Sequence, residues 1–519
     1  MWPRHENAMK SKLFETIACA LAVLLLLSGC SLAPHYAKPD VAPADHFKEE
    51  RAPDDAYADA GSDSDYGAWQ PARPSEGIER GEWWKIFHDS RLDDYEQQAL
   101  HNNPGLQAAV ARVKESRAML QTARSALFPE VSAGFGPSRE KLSSVSQLRP
   151  DGVEIPTENV WRAQASASYE VDLFGRVSDS IKASTAQAEQ SEALFRSVRL
   201  ALQADVAQSY FNLRELDAEL DVYNRSVALR SRALELVQRR FDAGETSELD
   251  LLRGQSELAT ARSEAMTAER LRAASEHSLA VLLGKIVAEF SVEHDPLVSV
   301  DIHIPPGLPS SVLERRPDIA AAERAMAAAN ARIGIAKSAF FPALNLTGTA
   351  GFESASLSDL FKWSSRAFLV GPLVGTALTV PLFDGGRRKG DLARARAAYE
   401  VNVDDYREQV LVAFREVEDN LSELRILQNQ TVTQSEAVKA STRAAHLSRT
   451  QYQEGAVNFL DVIDADRTVL QTQRAAVQLA GLQAVSTVNL IRALGGGWST
   501  DAPIAARGEL GSVSTGQAY

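Results

Sequence analysis

The chain has 519 residues, of which 45% are hydrophobic, and its formal net charge is −14. That acidic balance argues against a nucleic-acid partner. The two cysteines, Cys19 and Cys30, both lie in the first thirty residues, so the rest of the chain offers neither a disulfide framework nor a thiolate metal site.

The N-terminus predicts a secretory signal over residues 1–29. Two lysines precede an apolar run from Leu13 to Leu27, which is short for a membrane span and has the form of a signal peptide. The run ends in Leu-Ser-Gly-Cys, which resembles a bacterial lipobox. Cleavage there would leave Cys30 as a lipidated N-terminal residue, and this covalent lipid is the only cofactor expected. The alternative is an ordinary secretory signal with a chance cysteine.

Composition divides the remainder of the chain. Residues 30–82 are rich in Ala, Pro, Asp and Ser, which predicts an extended N-terminal arm. Two structural repeats are expected at 83–285 and 314–496, each with a helix, two strands, a very long helix and a further helix. A linker at 286–313 joins them, and a tail follows at 497–519.

The repeats rest on motifs that occur twice. The segment Ala123–Pro129 returns as Ala336–Pro342, which is 213 residues later. A Gly that ends a long helical stretch occurs at Gly244 and again at Gly455, which are 211 residues apart. Two copies of one unit of this length predict a body with internal pseudo-symmetry.

Two segments predict helices of unusual length. Residues 176–243 and 391–454 contain neither Gly nor Pro, and at 1.5 Å per residue each helix would be roughly 100 Å long. Apolar side chains step by three and four over Leu213–Phe241 and over Val403–Leu427, with Arg230 breaking the first row. Such rows favour coiled-coil packing.

Strict alternation predicts strands in both repeats. Over Trp161–Leu173 the odd positions are apolar and the even positions are polar or charged. Related segments begin at Val131 and span Leu344–Phe352, and a fourth lies near Phe368–Leu382. About ten residues with one apolar and one polar face suit a transmembrane β-barrel, while a half-buried sheet in a soluble domain would give the same pattern.

The number of strands bears on assembly. Four strands cannot close a membrane barrel, which needs about eight or more. An open sheet edge in lipid would leave backbone groups unpaired. If these strands lie in a membrane, several chains must therefore share one barrel, and their long helices would form a shared tube.

Seven short motifs occur in order along the chain: Gly29–Cys30, Trp83–Phe87, Asn103–Leu106, Glu314–Ile319, Phe340–Pro342, Leu382–Arg387 and Tyr452–Val462. Together they resemble the TolC-like outer-membrane efflux proteins, and more closely the OprM/NodT-type outer-membrane factor lipoproteins. The resemblance covers nearly all of the mature chain.

This resemblance implies an α+β fold in which duplicated long-helix hairpins form a trimeric α-barrel. Each chain would add four transmembrane β-strands to a shared twelve-stranded β-barrel. The implied homotrimer is anchored in the bacterial outer membrane by lipid, spans it and extends into the periplasm. Its implied partners are outer-membrane lipid, a periplasmic adaptor (membrane fusion protein) and an inner-membrane pump of the RND type, and its cargo is small molecules. Residues 85–95, 286–313 and the segment after Gly495 are candidates for a belt around the tunnel.

The resemblance also implies a gate. Asp461 and Asp464 match positions that form constricting aspartate rings in the family. Asp250 is the first-repeat counterpart of Asp461 and would bond Tyr452, which ties inner to outer helices. Val457 stands where some relatives carry an Arg that helps to lock the closed state. The alternative role for these aspartates is to cap or solvate helix ends.

The turns that follow the long helices form the tunnel's tip in this family, so they are the expected adaptor-contacting surface. Its residues are Gly244, Ser247, Leu249, Gly455, Asn458, Phe459 and Leu460. The two glycines also have a structural role there, because Gly permits the left-handed conformation that ends a helix.

No enzyme is expected. The sequence has no His-Glu-x-x-His pairing, no Gly-rich phosphate loop and no nucleophile elbow. Two alternatives to an efflux channel remain at this point: the outer-membrane channel of a type I protein secretion system, and a periplasmic helical adaptor or scaffold.

Overall fold

The computed structural model describes residues 31–39, 47–49, 82–141, 157–297, 312–313, 315–371 and 378–496. The predicted signal peptide, Cys30, most of the N-terminal arm, residues 298–311 of the linker and the C-terminal tail lie outside them. The chain forms two compact units. The first takes in the described parts of Met1–Asp40, Ala111–Glu192 and Ala321–Glu408, and the second those of Val41–Val110, Ala193–Ala320 and Gln409–Tyr519.

The described residues contain seven α-helices and five strand segments. The helices are α1 Ser90–Asn102, α2 Pro104–Ser125, α3 Arg176–Asp242, α4 Glu248–Leu282, α5 Pro317–Ser338, α6 Arg387–Gln453 and α7 Phe459–Ala493. The strands are β1 Glu130–Glu140, β2 Glu158–Val171, β3 Ala343–Ser354, β4 Arg366–Val370 and β5 Leu378–Thr379.

The two halves match helix for helix. Helices α2 and α5 have 22 residues each, α3 and α6 have 67, and α4 and α7 have 35. The helices of the first pair start 213 residues apart, and those of the other two pairs start 211 residues apart. The segment from the start of β1 to the start of α3 is therefore two residues longer than the segment from the start of β3 to the start of α6. The long-helix prediction is confirmed, although α6 starts at Arg387 and includes Gly390. Within the described part of the chain, no helix combines the length and apolar content that a membrane crossing requires.

The strands form one antiparallel sheet in the first unit, in the order β1–β2–β3–β4, with β5 also paired to β3. The fourth predicted strand is thus present as two segments on one edge. Val370 lies opposite Gly348, and Leu378 lies opposite Leu344.

The register of the sheet keeps side chains of like polarity on one face. Ala165 of β2 lies between Ala133 and Ala350 on its two neighbours. On the opposite face, Ser166 lies beside Ser132, with 2.7 Å between the two hydroxyl oxygens. A shift of one residue would exchange the faces, so this pattern specifies the register. Over the paired centre of β1, β2 and β3 the sheet consequently has an apolar face and a polar face.

An arginine on the polar face cross-links three strands. Arg162 on β2 donates from Nε to Glu353 on β3 at 3.0 Å and from Nη2 to Glu140 on β1 at 2.9 Å. Its Nη1 donates to Ser138 on β1. Because charge-assisted bonds of this kind fix side-chain geometry, the end of the polar face that carries Arg162 is ordered.

The residues after Cys30 are fixed against the helices of the first unit. The Ser31 hydroxyl donates to the fully buried carboxylate of Asp179 at 2.6 Å, in the first turn of α3. The Asn330 side-chain amide of α5 donates to the Pro34 carbonyl at 2.9 Å. This part of the arm is thereby ordered along α3 and α5.

In the second unit, the segment after α4 lies on α3. Arg214 of α3 donates to the carbonyls of Glu293 and Asp295, both at 3.0 Å. The fully buried carboxylate of Asp217 accepts from Arg272 at 2.6 Å and from the backbone N–H of Asp295 at 3.1 Å. The start of the predicted linker is therefore a fixed part of the unit.

Candidate gate and adaptor surface

Two equivalent turns end the long helices in the second unit. Gly244 follows α3 with φ 79° and Gly455 follows α6 with φ 76°. Each turn is closed by the same backbone bond, from Glu245 to the Arg240 carbonyl and from Ala456 to the Gln451 carbonyl, both at 2.8 Å. Since L side chains are strained at these φ values, the glycines define the turn, and both are exposed.

In each turn an aspartate lies three residues after the residue that caps the next helix, Ser247 in the first turn and Asn458 in the second. The Asp250 carboxylate accepts from the Ser247 hydroxyl at 3.0 Å and from the Thr246 hydroxyl at 3.1 Å. The Asp461 carboxylate accepts from the backbone N–H of Asn458 at 3.0 Å. Asp461 thus completes a capping box with Asn458, which is one of the two roles expected from the sequence. Asp250 bonds the hydroxyls of its own turn, and Ser247 is the residue that caps α4.

Asp464 lies one turn further along α7 and remains accessible. Its side chain is 63% exposed, and its one ion pair in the described structure is to Arg467 at 3.6 Å. Asp461 is also exposed. Two carboxylates three residues apart on one helix lie on the same side of it, so α7 presents both to its surroundings near the turn.

The expected bond between Asp250 and Tyr452 is not formed, and that expectation is wrong for this chain. The Tyr452 side chain is 8% exposed, and its hydroxyl has no hydrogen-bond partner among the described residues. The Asp250 carboxylate is instead satisfied by its own turn. The Tyr452 ring packs on Phe459, with 5.4 Å between ring centroids.

Arg240 near the end of α3 contacts the end of α6, which the sequence analysis did not anticipate. Its guanidinium carbon lies 4.7 Å from the centroid of the Tyr452 ring. Its Nη1 donates to the Tyr452 carbonyl at 3.2 Å and its Nη2 to the Gln453 carbonyl at 3.0 Å. A cation placed there satisfies the terminal carbonyls of α6 and is attracted by the negative end of the helix dipole. Through these contacts Arg240 joins the two hairpins.

A group of charged side chains lies beside this contact. Arg230 of α3 is 7% exposed and pairs with Glu257 of α4 at 3.0 Å. Glu257 also pairs with Arg467 of α7. Arg449 of α6 pairs with Asp466 of α7 at 2.6 Å. The one sequence signal for this group was the break that Arg230 makes in the apolar row of α3.

Burial affects the protonation of this group. Burial raises the pKa of the Asp466 carboxyl, and its hydrogen bond and ion pair with Arg449 oppose that rise. An ion pair this deep is costly to break, because the remaining partner keeps an uncompensated charge. Each of the two deep pairs lies within one hairpin, and the pair between Glu257 and Arg467 links the first-repeat hairpin to the second.

The tip residues divide into exposed and buried. Leu249 is 55% exposed and Leu460 42%, and Leu252 adds a third accessible leucine at 53%. Ser247 and Asn458 are exposed as well. Phe459, in contrast, is 5% exposed, packed in the cluster of Val237, Leu251, Tyr452, Val462 and Ile463. The expectation that Phe459 belongs to the adaptor-contacting surface is therefore wrong, because its side chain packs in the apolar cluster beneath the turn.

The expected lipidation residue, Cys30, lies outside the described residues. Over the described residues, no grouping of three or more His, Cys, Asp or Glu side chains could hold a metal ion. The site presents two glycine turns, exposed carboxylates and leucines, and a set of ion pairs in which Glu257 and Arg467 link the two hairpins.

Comparison with known proteins gives one consistent result. The sequence profile of the outer membrane efflux protein family matches residues 96–285 and again residues 308–496. The toluene efflux pump outer membrane protein TtgF of Pseudomonas putida is 32% identical over 488 residues, which cover 93% of this chain and 97% of TtgF. The outer membrane protein OprJ of Pseudomonas aeruginosa is 30% identical over 490 residues, with 92% of this chain and 95% of OprJ covered.

The solved structure of the outer-membrane channel OprN is also similar. It matches with a TM-score of 0.79 at 28% identity, covering 90% of this chain and 100% of OprN. The duplicated helices and the small antiparallel sheet are thus the fold of known outer-membrane channels. The chain belongs to the outer membrane efflux protein family and is an outer-membrane efflux channel protein that extends into the periplasm.

Proposed function

We propose that three copies of this chain form one channel that carries small molecules across the outer membrane. Its partners are a periplasmic adaptor at the tip and an inner-membrane pump that supplies the energy. Each copy contributes its sheet to a shared twelve-stranded barrel and its helices to a tunnel. Relatives such as TtgF, named as part of a toluene efflux pump, support small molecules as the cargo.

The observation that carries this proposal is a sheet that is open on both sides. Among the described strands, β1 pairs only with β2, and β4 and β5 pair only with β3. Both outer edges therefore carry unpaired backbone groups. Such edges are excluded from lipid, where each unsatisfied group costs several kcal/mol, so the edge strands of neighbouring copies must pair.

The apolar face has the height of a bilayer interior. Trp161 and Tyr169 lie on this face eight residues apart on β2, which is roughly 26 Å along a strand. Barrels carry an apolar band about 25 Å tall between two girdles of aromatic residues. The band on this face matches that dimension.

The gate in this proposal lies at the tip. Three copies of Asp461 and Asp464 would form two rings of carboxylates around the tunnel axis. The carboxylates would repel anions that enter the tunnel, and they would repel one another. Because the Tyr452 hydroxyl has no partner among the described residues, closure rests on Arg240 and on the ion pair between Glu257 and Arg467.

The proposal includes a lipid on Cys30. Ser31, its neighbour, is fixed at the first turn of α3. Consecutive Cα atoms are about 3.8 Å apart, so an acylated Cys30 would start close to the junction of strands and helices. Incorporation of labelled palmitate into the wild-type chain, and its loss in Cys30→Ser, is the expected result; equal labelling of both would refute the lipid.

Paired cysteines test the shared barrel. The chain has two natural cysteines, Cys19 and Cys30, so engineered pairs in a Cys19→Ser, Cys30→Ser background have no other thiol to react with. Ala133→Cys on β1 with Phe368→Cys on β4, two positions on the same face of the sheet, should give chains cross-linked to one another. The control pair, Ala133→Cys with Ala165→Cys, occupies directly opposed positions and should cross-link within one chain. If the control pair cross-links within its chain and the β1–β4 pair gives no inter-chain product, the proposal is contradicted.

A further inference from the structure

Aromatic rings cluster at the end of the sheet where β2 begins and β3 ends. Phe135 and Trp161 have ring centroids 6.0 Å apart, and Phe352 lies 5.7 Å from Phe361 in the loop after β3. Phe135, Trp161 and Phe352 belong to the apolar face. Phe361 therefore continues that face beyond the end of the strand.

The loop between β3 and β4 is ordered by its own hydrogen bonds. It contains two 3-10 turns, Leu357–Asp359 and Trp363–Ser365. The Ser365 hydroxyl donates to the Asp359 carbonyl at 2.7 Å, and Leu360 between the turns is fully buried. Phe361 and Trp363 nevertheless point outward, 67% and 75% exposed. An ordered loop with exposed large rings marks an interaction surface.

A cation is fixed against these rings. The guanidinium carbon of Arg366 lies 3.2 Å from the Trp363 ring centroid, and its Nε donates to the Trp363 carbonyl at 2.8 Å. Lys362 pairs with Asp359 at 2.5 Å. Within the described structure Arg366 has no carboxylate partner, so its charge is not compensated.

We propose that the segment Leu357–Arg366 rests on the lipid surface and that Arg366 binds the phosphate of an anionic outer-leaflet lipid. The inference rests on the proposed function, which places the apolar face in lipid. Aromatic rings with polar edges favour the membrane interface, and a guanidinium matches two phosphate oxygens at once. Helices α3 and α6 leave the sheet at the opposite end, which puts this loop on the outer side.

Depth-dependent quenching tests the position of the loop. The full chain is reconstituted in vesicles whose lipids carry bromine near the head group or near the acyl-chain end. Signals of single tryptophans are obtained by difference from Trp363→Phe and Trp161→Phe. Trp363 should be quenched by head-group bromine and little by chain-end bromine. Quenching of Trp161 without quenching of Trp363 would overturn the inference, whereas quenching of neither would refute the sheet's place in lipid.

Lipid charge tests the role of Arg366. Brominated phosphatidylglycerol in a phosphatidylcholine background should quench Trp363 more than brominated phosphatidylcholine does. Arg366→Gln should reduce that preference about five-fold, and Arg366→Lys should restore part of it. Lys114→Gln, at an exposed lysine of α2, should leave it unchanged. Equal preference in Arg366→Gln and wild type, or its removal by millimolar inorganic phosphate, would contradict a lipid phosphate site.

Discussion

Arg240 lies over the ring of Tyr452 with 4.7 Å between its guanidinium carbon and the ring centroid, and it also donates to the Tyr452 carbonyl. One side chain of the first repeat thus contacts both the ring and the helix end of the second repeat. The link between the hairpins that the family resemblance assigns to Asp250 is made here by Arg240.

This contact predicts a contrast between two variants. Tyr452→Phe removes a hydroxyl that has no partner in the described structure, so single-channel conductance in planar bilayers should stay at the wild-type value. Arg240→Gln removes the charge over the ring and should raise conductance. A large increase in the conductance of Tyr452→Phe would show that the Tyr452 hydroxyl links the hairpins, as the family resemblance implies, and would contradict the assignment to Arg240.

The aspartate rings can be separated from helix capping. Asp461→Asn with Asp464→Asn keeps acceptor oxygens but removes the charges, and conductance should rise because repelling carboxylates are gone from the constriction. Asp461→Ala with Asp464→Ala should raise it as well. If only the alanine variant changes conductance, the residues act as caps and the rings are refuted.

The buried pair of Glu257 predicts a stability effect. Glu257→Gln removes the negative charge that neutralises Arg230, whose side chain is 7% exposed. Removal of one partner from a buried ion pair lowers the free energy of unfolding by roughly 3–5 kcal/mol. The temperature at which trimers dissociate on gels should fall. Arg407→Gln, in an exposed pair with Asp404, is the control and should change it little. Equal shifts in the two variants would contradict a structural role for the buried group.

The exposed leucines predict adaptor contact. Leu460→Asp should abolish co-purification with the adaptor, because a charge replaces an apolar side chain that is 42% exposed at the tip. Trimer migration serves as the folding control, and it should be unchanged. Leu460 is a sharper test than Gly455→Glu, which also strains a backbone at φ 76°. Retained adaptor binding by Leu460→Asp would argue against this surface.

Glu215 predicts a dependence on pH. Burial raises the pKa of its carboxyl to about 7, and the neighbouring Glu219 adds to the rise. The folded form therefore holds a proton that the unfolded form releases near 4.5. The stabilisation is complete below that value and is lost as pH rises through about 7.

The measurement is trimer dissociation temperature between pH 5 and 8. It should decline across this range in the wild type, with a shallower decline in Glu215→Gln. Glu235→Gln, at an exposed glutamate of the same helix, should follow the wild type. Parallel curves for all three proteins would exclude Glu215 as the cause.

Residues of α3, β2 and the turns show what the sequence could predict. A run of 67 helical residues and a strand with strict alternation follow from local rules, as does a glycine at each turn. The partner of Arg240 lies 212 residues away, and no local rule connects them. The burial of Phe459 depends on packing between the hairpins, so periodicity alone did not show it.

The central claim is that one chain supplies a third of a shared pore, and native mass spectrometry of the channel extracted from outer membranes tests it most directly. The account predicts a particle with the mass of three chains. No particle of lower mass should conduct in planar bilayers. A single chain that conducts alone would contradict it.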